Sequence, residues 1–354
     1  MIQPKPLMRR LMFPLALLII LSSIGVGIFL YQQHRHYLHD TFKRSISELN
    51  HDKERLLAEQ TSALSLSIKT ISNDPDVQKA LRNKDSNALL QQWQEVFQKM
   101  KEENKVTHFY FMDTQRVCLL RVHNPPKKGD TINRFTALEA EWTRKTSSGI
   151  EVGPMGMLTL RVVQPIIVDN ELIGYIEMGK EIEDVLHQLH FQSDVQLILV
   201  LNKDILERSA WEDGMRLLDR EPDWNLLKNQ ALIYTTDQKI PYAISDKMNY
   251  WLGSEHIHDN PDTEVYVEGS TYRIAMTPLK DVSGKAVGDI FILHNVTNEN
   301  VEFFDSVSIA VVIALGLIGM LLGFTYFLLR KTDEGIENQQ RYLYESQQRL
   351  EQLA

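Results

Sequence analysis

Cysteine is almost missing from this chain: Cys118 is the single one among 354 residues, so no intrachain disulfide can form. A chain of this length buries enough core to do without one, even in an oxidising compartment. A surplus of positive charge is missing too, since 38 lysines and arginines face 47 aspartates and glutamates, a net charge of −9. With both signs mixed and no basic stripe, a nucleic-acid partner is excluded. There is no Gly-rich phosphate loop, nucleophile elbow or zinc-protease helix. The chain is therefore read as a non-enzyme, with no cofactor expected. Two further absences are local. Residues 34 to 72 contain no glycine or proline, and residues 11–31 and 307–329 contain no charge.

Each uncharged stretch has the length of a bilayer-spanning helix. Residues 1–10 are short and basic, with Lys5, Arg9 and Arg10, and Leu11 to Tyr31 follows. A cleaved signal peptide competes with this reading, but it needs a shorter apolar run and a small-residue exit. Here the run leaves through Phe29-Leu30-Tyr31-Gln32-Gln33, which favours a retained anchor. The second span, Val307 to Leu329, closes on Arg330-Lys331. Basic residues thus flank the outer ends of both spans. The positive-inside rule places both termini in the cytoplasm and residues 32–306 outside, in a periplasm or its equivalent. Gly316, Gly319 and Gly323 share one face of the second span and allow close helix contact in a homodimer, although glycine is also common in membrane helices. Ile336, Leu343 and Leu350 are seven apart, with Leu353 as a d position. They read as the start of a parallel coiled coil or, being short, as a solvated juxtamembrane helix. No kinase, cyclase or methylation region precedes Ala354, so the output is expected in another chain, or lost, or the gene is truncated.

Outside the membrane, His34 to about Ser72 reads as one long helix. Leu49, Leu56 and Ala63 form one seven-residue stripe on it, and Leu57, Leu64 and Ile71 a second. Asn73-Asp74-Pro75 stops the helix and caps the next. Asp85 to Lys101 reads as a helix with Leu89, Leu90, Trp93, Val96 and Phe97 facing the core. Phe109 to Met112 and Val117 to Leu120 flank a polar turn and read as a hairpin. Met157 to Val168 and Leu172 to Met178, joined at Asp169-Asn170, read as another, with a helical insertion near Arg134 to Thr146 between the two. Further on, Asp194 to Leu201 reads as a strand, and Asp204 to Trp211 and Asp223 to Asn229 as helices. Pro241 to His258 reads as an irregular aromatic segment. Glu264 to Thr277 and Lys285 to His294 read as closing hairpins, and a helix runs from Thr297 into the membrane.

A weak internal repeat ties the two halves. Leu160 to Pro165 followed by Ile173 to Glu177 matches Tyr272 to Pro278 followed by Val287 to Phe291. Each copy has a mid-strand arginine, a strand-ending proline, a turn and a second strand opened near glycine, which suggests two sheet domains of one type in tandem.

The run Phe111 to His123, Gly129-Asp130, Ser148 to Glu151, and Thr159 to Glu177 resembles the double Cache sensory domain, in the variant that precedes bacterial sensor kinases and diguanylate cyclases. The resemblance spans roughly residues 33 to 300. It implies an α+β fold in which a long helix carries two PAS-like antiparallel sheets in tandem, flanked here by two transmembrane helices. The implied organisation is a cytoplasmic N-terminus at 1–10, a transmembrane helix at 11–31, and a long helix with helical linker at 32–104. A membrane-distal Cache sheet domain follows at 105–192 and a membrane-proximal Cache-like domain at 193–296. Then come a connecting helix at 297–306, a transmembrane helix at 307–329 and the coiled-coil start at 330–354. The distal domain is where such proteins hold a small ligand.

Arg121 and Arg161 sit mid-strand among apolar neighbours, where a charge needs a partner. One reading is an internal pair of Arg161 with Glu177 on the neighbouring strand. The other is that one or both arginines hold a carboxylate or phosphate, which suits the planar guanidinium. Asp113 and His123 border the polar loop that the resemblance makes the roof of a pocket. Arg134, Trp142, Phe111 and Tyr175 are candidates for its wall, although Trp142 and Phe111 also suit a core. The tyrosine, arginine, tryptophan, tyrosine and aspartate signature of the family's amino-acid-binding branch is not found, and Trp142-Thr143-Arg144 only faintly echoes it. Cys118 reads as a small core residue rather than a redox centre. His256-Ile257-His258 with Asp259 is a weak metal motif, so no metal is expected. The expected function is a membrane receptor of the bacterial inner membrane. It senses a small extracytoplasmic ligand, an anion where the arginines hold it, and passes a conformational signal through the second span to an unknown cytoplasmic output protein. The alternative is a membrane-anchored protein that engages a periplasmic partner without signalling.

Overall fold

Helix α1 runs unbroken from Leu7 to Ser72 in the computed structural model, which describes residues 7–237, 240–252 and 263–353. With no glycine or proline beyond residue 34, nothing interrupts its backbone ladder. The chain divides into two units: residues 42–296, and the segments before and after them.

Within the first of these units, α1 supplies two stretches of core. Phe42, Leu49 and Leu56 enter one buried cluster, and Leu64, Ile68 and Ile71 another. The two heptad stripes expected from the sequence are one drifting stripe, because Ala63 is exposed and Leu57 only half-buried. A straight helix of 3.6 residues per turn carries a strict seven-residue repeat off its face. The helix stops as expected, and the Asp74 carboxylate accepts the Asp76 N–H to cap α2, Pro75–Arg82. Asp85 caps α3, Ser86–Asn104, in the same way. Leu89 and Phe97 of α3 are buried, while Val96, expected in the core, is exposed on the outer face.

Two five-stranded antiparallel sheets follow. The first contains β1 (Val106–Met112), β2 (Cys118–Arg121), β3 (Ser147–Val152), β4 (Leu158–Val168) and β5 (Glu171–Glu181), in the order β2-β1-β5-β4-β3. Helix α4, Phe135–Thr143, lies between β2 and β3 in sequence, where an insertion was expected. Asp169 and Asn170 both have positive φ, at 52° and 65°, as a two-residue hairpin turn requires. Helix α5, Glu183–Ser193, leads to the second sheet. That sheet contains β6 (Gln196–Asn202), β7 (Gln230–Thr235), β8 (Thr263–Val267), β9 (Ser270–Lys280) and β10 (Ala286–Asn295), in the order β7-β6-β10-β9-β8. Strand for strand, this is the topology of the first sheet, so the internal repeat is real.

Its details differ from the sequence reading in two ways. The strands run on past Pro165 and Pro278. Pairing of β3 with β4 stops at Val163, and among the described residues that of β8 with β9 reaches Ile274. Beyond Val163 one flank of β4 is an edge, where proline is tolerated. The two arginines are not equivalent either. Pro165 pairs with Tyr175 and Pro278 with Asp289, each one step from a paired glycine, Gly174 or Gly288. With the prolines aligned, Arg161 matches Ile274, and Arg273 falls one residue earlier. One residue is half a pleat, so the two arginines point to opposite faces of their sheets.

Three expectations in the second sheet region are corrected. The helix expected from Asp204 begins later, as α6, Arg208–Leu217, after a 3₁₀ turn at Lys203–Ile205. Residues 223–229 are not helical. The Leu227 and Lys228 carbonyls accept from Lys203 Nζ at 2.6 and 3.0 Å, and the Asp223 carboxylate takes the Asn225 N–H, so local and tertiary partners replace a helical ladder. The segment expected to be irregular contains α7, Tyr242–Leu252, whose buried Ile244, Met248 and Trp251 recur at helical spacing. His256, His258 and Asp259 lie outside the described residues.

In the other unit, helix α8 extends from Thr297 to Leu353. This helix and α1 are the two among the described residues long and apolar enough to cross a membrane, and side chains such as Leu18 and Val312 are exposed. His34 of α1 stacks on Phe303 of α8 with ring centroids 3.8 Å apart, and its Nε2 meets Asn300 Oδ1 at 3.1 Å. Ile336 and Leu343 are exposed along α8.

Candidate functional site

Strand β1 alternates from His108 onward, after an irregularity at its start. Phe109 and Phe111 turn into the core shared with α1 and α3, while His108 and Tyr110 turn to the other face. On that face lies a cavity of about 440 Å³, within the range of small-molecule sites. Arg161 comes from β4, Arg121 from β2, and Arg134 from the residue before α4. The loop 123–134 and the β3–β4 turn with Met155 and Met157 close it.

Two charge clusters organise the cavity. In one, Arg134 and Arg161 share the fully buried Glu177: Arg161 Nη1 donates to it at 2.6 Å, and Arg134 Nη2 donates to both of its oxygens. Glu151 of β3 accepts the Thr136 N–H at 2.8 Å, and its other oxygen lies 3.4 Å from Nε of both arginines. Burial alone would raise the Glu177 carboxyl, but the two guanidinia hold it below the usual carboxylate range. For Glu151 burial wins over the same arginines and the carboxyl is raised. In the other cluster, Arg121 grips Asp130 with two hydrogen bonds of 2.6 and 2.7 Å and the Lys127 carbonyl with a third of 2.6 Å. The backbone around Asp130 is itself pinned along β2 through Cys118, so Arg121 fastens the loop over the cavity.

An aromatic wall joins the clusters. The guanidinium carbons of Arg121 and Arg134 each lie 5.1 Å from the Tyr110 ring centroid. His123 packs edge-on against both Tyr110 and His108, at 4.9 Å. Its Nδ1 accepts the Phe109 N–H, which leaves the ring proton on Nε2. Burial, then the surrounding arginines, lower both histidines, His123 to about 4, so both are neutral at physiological pH.

Of the residues singled out from sequence, Arg121, His123, Arg134 and Arg161 come together around this cavity, with Glu177 behind the last two. The internal pair of Arg161 with Glu177 is present, though the cross-strand partner of Arg161 is Gly179 and the contact is diagonal. The other four lie elsewhere. Asp113 caps the β1–β2 turn through the Gln115 and Val117 N–H groups and binds Lys84. Phe111 is in the core on the opposite face. Tyr175 is fully buried beside Val163 and Ile132. Trp142 is 87% exposed on α4. Sequence reasoning missed His108, Tyr110, Glu151, Asp130 and the two methionines. The polar–apolar alternation of His108-Phe109-Tyr110-Phe111 was a readable signal for the first two. Glu151 had none, because it enters only through the pairing of β3 with β4.

The second sheet lacks these groups at the matching positions. By strand register Tyr110, Glu151, Arg161 and Glu177 correspond to Ile198, Val265, Ile274 and Phe291. Those four pack in one apolar cluster with Met248 and Trp251 of α7.

Residues 42–299 match the double sensory domain of two-component sensor kinases. No curated protein matches the sequence. Similar solved structures include a domain of a sensory box/GGDEF family protein from Vibrio parahaemolyticus. It is 15% identical with a TM-score of 0.41, covering 73% of this chain and 96% of that one. The periplasmic domain of Vibrio cholerae LuxQ is 13% identical with a TM-score of 0.41, covering 70% and 99%. The ligand-binding domain of the Pseudomonas fluorescens chemoreceptor CtaA, in complex with L-serine, is 14% identical with a TM-score of 0.36, covering 70% and 96%. With two tandem sheets of one topology and a family match over most of its length, the chain belongs to the double Cache sensory-domain family of two-component sensor kinases.

Proposed function

We propose that this protein is an inner-membrane receptor that binds a small anion in the cavity of its first sheet domain. One observation carries the reading. Arg134 Nη1 and Arg161 Nη2 make no hydrogen bond among the described residues. Donors clustered in a cavity on already paired guanidinia favour an incoming carboxylate or phosphate. Arg121, by contrast, is engaged in fastening the loop. The apolar counterpart of the site in the second sheet supports a transmitting role for that domain.

The route to the membrane starts at the cavity floor. Gly149 pairs with Arg161 across β3 and β4, and Glu151 is two residues on. Between them the Ile150 carbonyl accepts the Val282 N–H at 2.9 Å. Val282 belongs to the β9–β10 turn, which Asp281 stiffens through the Ser283 and Lys285 N–H groups. Strand β10 then leads through Val296 to Thr297, the first residue of α8. Anion binding redistributes the arginines, moves β3 against this turn, and biases β10 and α8 between two arrangements. In the membrane two copies pair along the second span, where a side chain at Gly316, Gly319 or Gly323 meets open space. The output lies in the cytoplasm.

The test is a thermal-shift screen of the purified full chain against organic acids, phosphates, amines and sugars. A specific ligand raises the melting temperature by mass action. Anionic hits that vanish in Arg134→Gln, with the variant still melting as a folded chain, support the reading. Hits that are all cationic or neutral, or that survive Arg134→Gln, overturn it.

A further inference from the structure

We infer that ligand binding in the cavity is linked to a proton at Glu181, so that an anion is held more tightly as the surroundings acidify. The inference rests on the anion reading above and adds the regulation of that site.

Strand register puts Glu181 behind the cavity wall. On β5, Glu177, Gly179 and Glu181 share one face, and their partners on β4 are Val163, Arg161 and Thr159. Gly179 has no side chain, and His108 and Thr159 close over it: a Cβ there would meet Thr159 Cγ2 at 2.9 Å and His108 Cβ at 3.2 Å. Both of these residues line the cavity, and Glu181 touches them from behind.

Its buried carboxylate is poorly matched there. The hydroxyls of Thr159 and Thr107 lie at 3.2 and 3.3 Å, but Thr107 Oγ1 is also 2.9 Å from His108 Nδ1, and a hydroxyl has one proton to give. Among the described residues, the one ionisable nitrogen within ion-pair reach is His108 Nδ1, and that ring is neutral. Of the charged groups that face the carboxylate, Arg161 of β4 favours its ionised form and Glu183 of α5 opposes it; Glu183 is itself held by Arg220. Lys180, its neighbour in sequence, turns to the opposite face and pairs with Asp184 at 2.7 Å. Burial therefore prevails and pushes the carboxyl up to about 7.

An anion on Arg161 cancels the charge that favours the carboxylate. Occupation of the cavity thus raises Glu181 further, and a proton is taken up as the ligand enters. Linkage is reciprocal, so protonation strengthens binding by the same factor. His108 and His123 stay neutral from pH 6 to 8. Glu151, 3.4 Å from Arg161, is raised by burial as well, so a variant at Glu181 is what assigns the proton.

The experiment is calorimetric titration of the full chain in lipid nanodiscs at pH 6 and pH 8. The probes are acetate, oxalate, sulfate and dimethyl phosphate, whose charges change little over that range. Binding that is lost in Arg134→Gln is expected to be on the order of fivefold or more tighter at pH 6 than at pH 8. In Glu181→Gln, which keeps partners for both hydroxyls, affinity should be equal at the two pH values. Heats measured in two buffers of different ionisation enthalpy should show proton uptake by the wild-type chain on binding near pH 7.5, and none by the variant. Equal wild-type affinity at both pH values, binding without proton uptake, or a pH dependence that survives Glu181→Gln overturns the link but leaves the anion site standing. Binding by none of the four probes, or binding untouched by Arg134→Gln, overturns the anion site and the link with it.

Discussion

Glu181 offers a sharp test of the electrostatics beneath the cavity. It ends β5 and pairs across the sheet with Thr159, whose hydroxyl lies 3.2 Å from its carboxylate. The Thr107 hydroxyl is at 3.3 Å and His108 Nδ1 at 3.7 Å. Its side chain is only 15% exposed, and burial pushes its carboxyl up from 4.5 to about 7, against the pull of Arg161. For an acid raised in the folded state the sign is as follows. Below about pH 4.5 both folded and unfolded chains hold the proton and the group has no effect. Between 4.5 and 7 the unfolded chain ionises first, so stability falls as pH rises, and above 7 the full cost is present. The shift corresponds to about 3 kcal/mol as a ceiling. Glu181→Gln keeps partners for both threonine hydroxyls and removes the ionisation. It should raise the melting temperature at pH 8 by about 3–10 °C for a unit of this size and change it little at pH 5. The assay is thermal unfolding of wild type and variant across that range, so that all other titrating groups cancel. A destabilised variant at pH 8, or an equal gain at both pH values, would refute the reasoning.

Other perturbations probe the remaining parts. A Cβ at Gly149 would overlap the side chain of Val282. Gly149→Ala should cost about 1–3 kcal/mol by overpacking and abolish ligand-dependent cross-linking of a cysteine at Ile336 while binding persists; unchanged cross-linking would remove the β3 contact from the route. Arg121→Ala removes three hydrogen bonds that fasten the loop. Trypsin should then cleave faster after the exposed Lys127 and Lys128, and equal rates would show that the loop is held otherwise. Cys118 is buried, and its thiol is pushed up to about 11 by burial. It should resist iodoacetamide at pH 8 until the chain unfolds, and alkylation at the rate of a free thiol would contradict its core placement.

Much of the architecture was legible because it rests on local signals. An uninterrupted run without glycine or proline marked α1, Asp74-Pro75 marked its end, and Asp169-Asn170 marked the turn between β4 and β5. Two uncharged runs marked the candidate spans. The repeat was visible through Pro165 and Pro278, but the equivalence drawn between Arg161 and Arg273 was misleading. A spacing of four residues to the proline in one copy and five in the other decides which face each side chain takes, and only the strand register shows it. The site was half legible. Charges stranded in apolar strands exposed Arg121 and Arg161, while Glu151 and the methionines reach the cavity only through the pairing of β3 with β4, and Asp130 was passed over within the polar loop. Phe111 went astray because an aromatic in a strand reads alike whichever face it lies on, and Tyr175, on the same face as Tyr110, because it is buried with Ala137 and Ala140 of α4. The helix over Tyr242 to Leu252 was masked by its tyrosines and the preceding proline, although its buried positions kept helical spacing.

The most direct measurement is hydrogen exchange on the full chain in nanodiscs, with and without a saturating anionic hit. The account predicts slower exchange in β1, in the loop 123–134 and in β3 and β4, together with a change in the β9–β10 turn and β10. Protection confined to the second sheet, or to the first with no change from Asp281 to Val296, would contradict it.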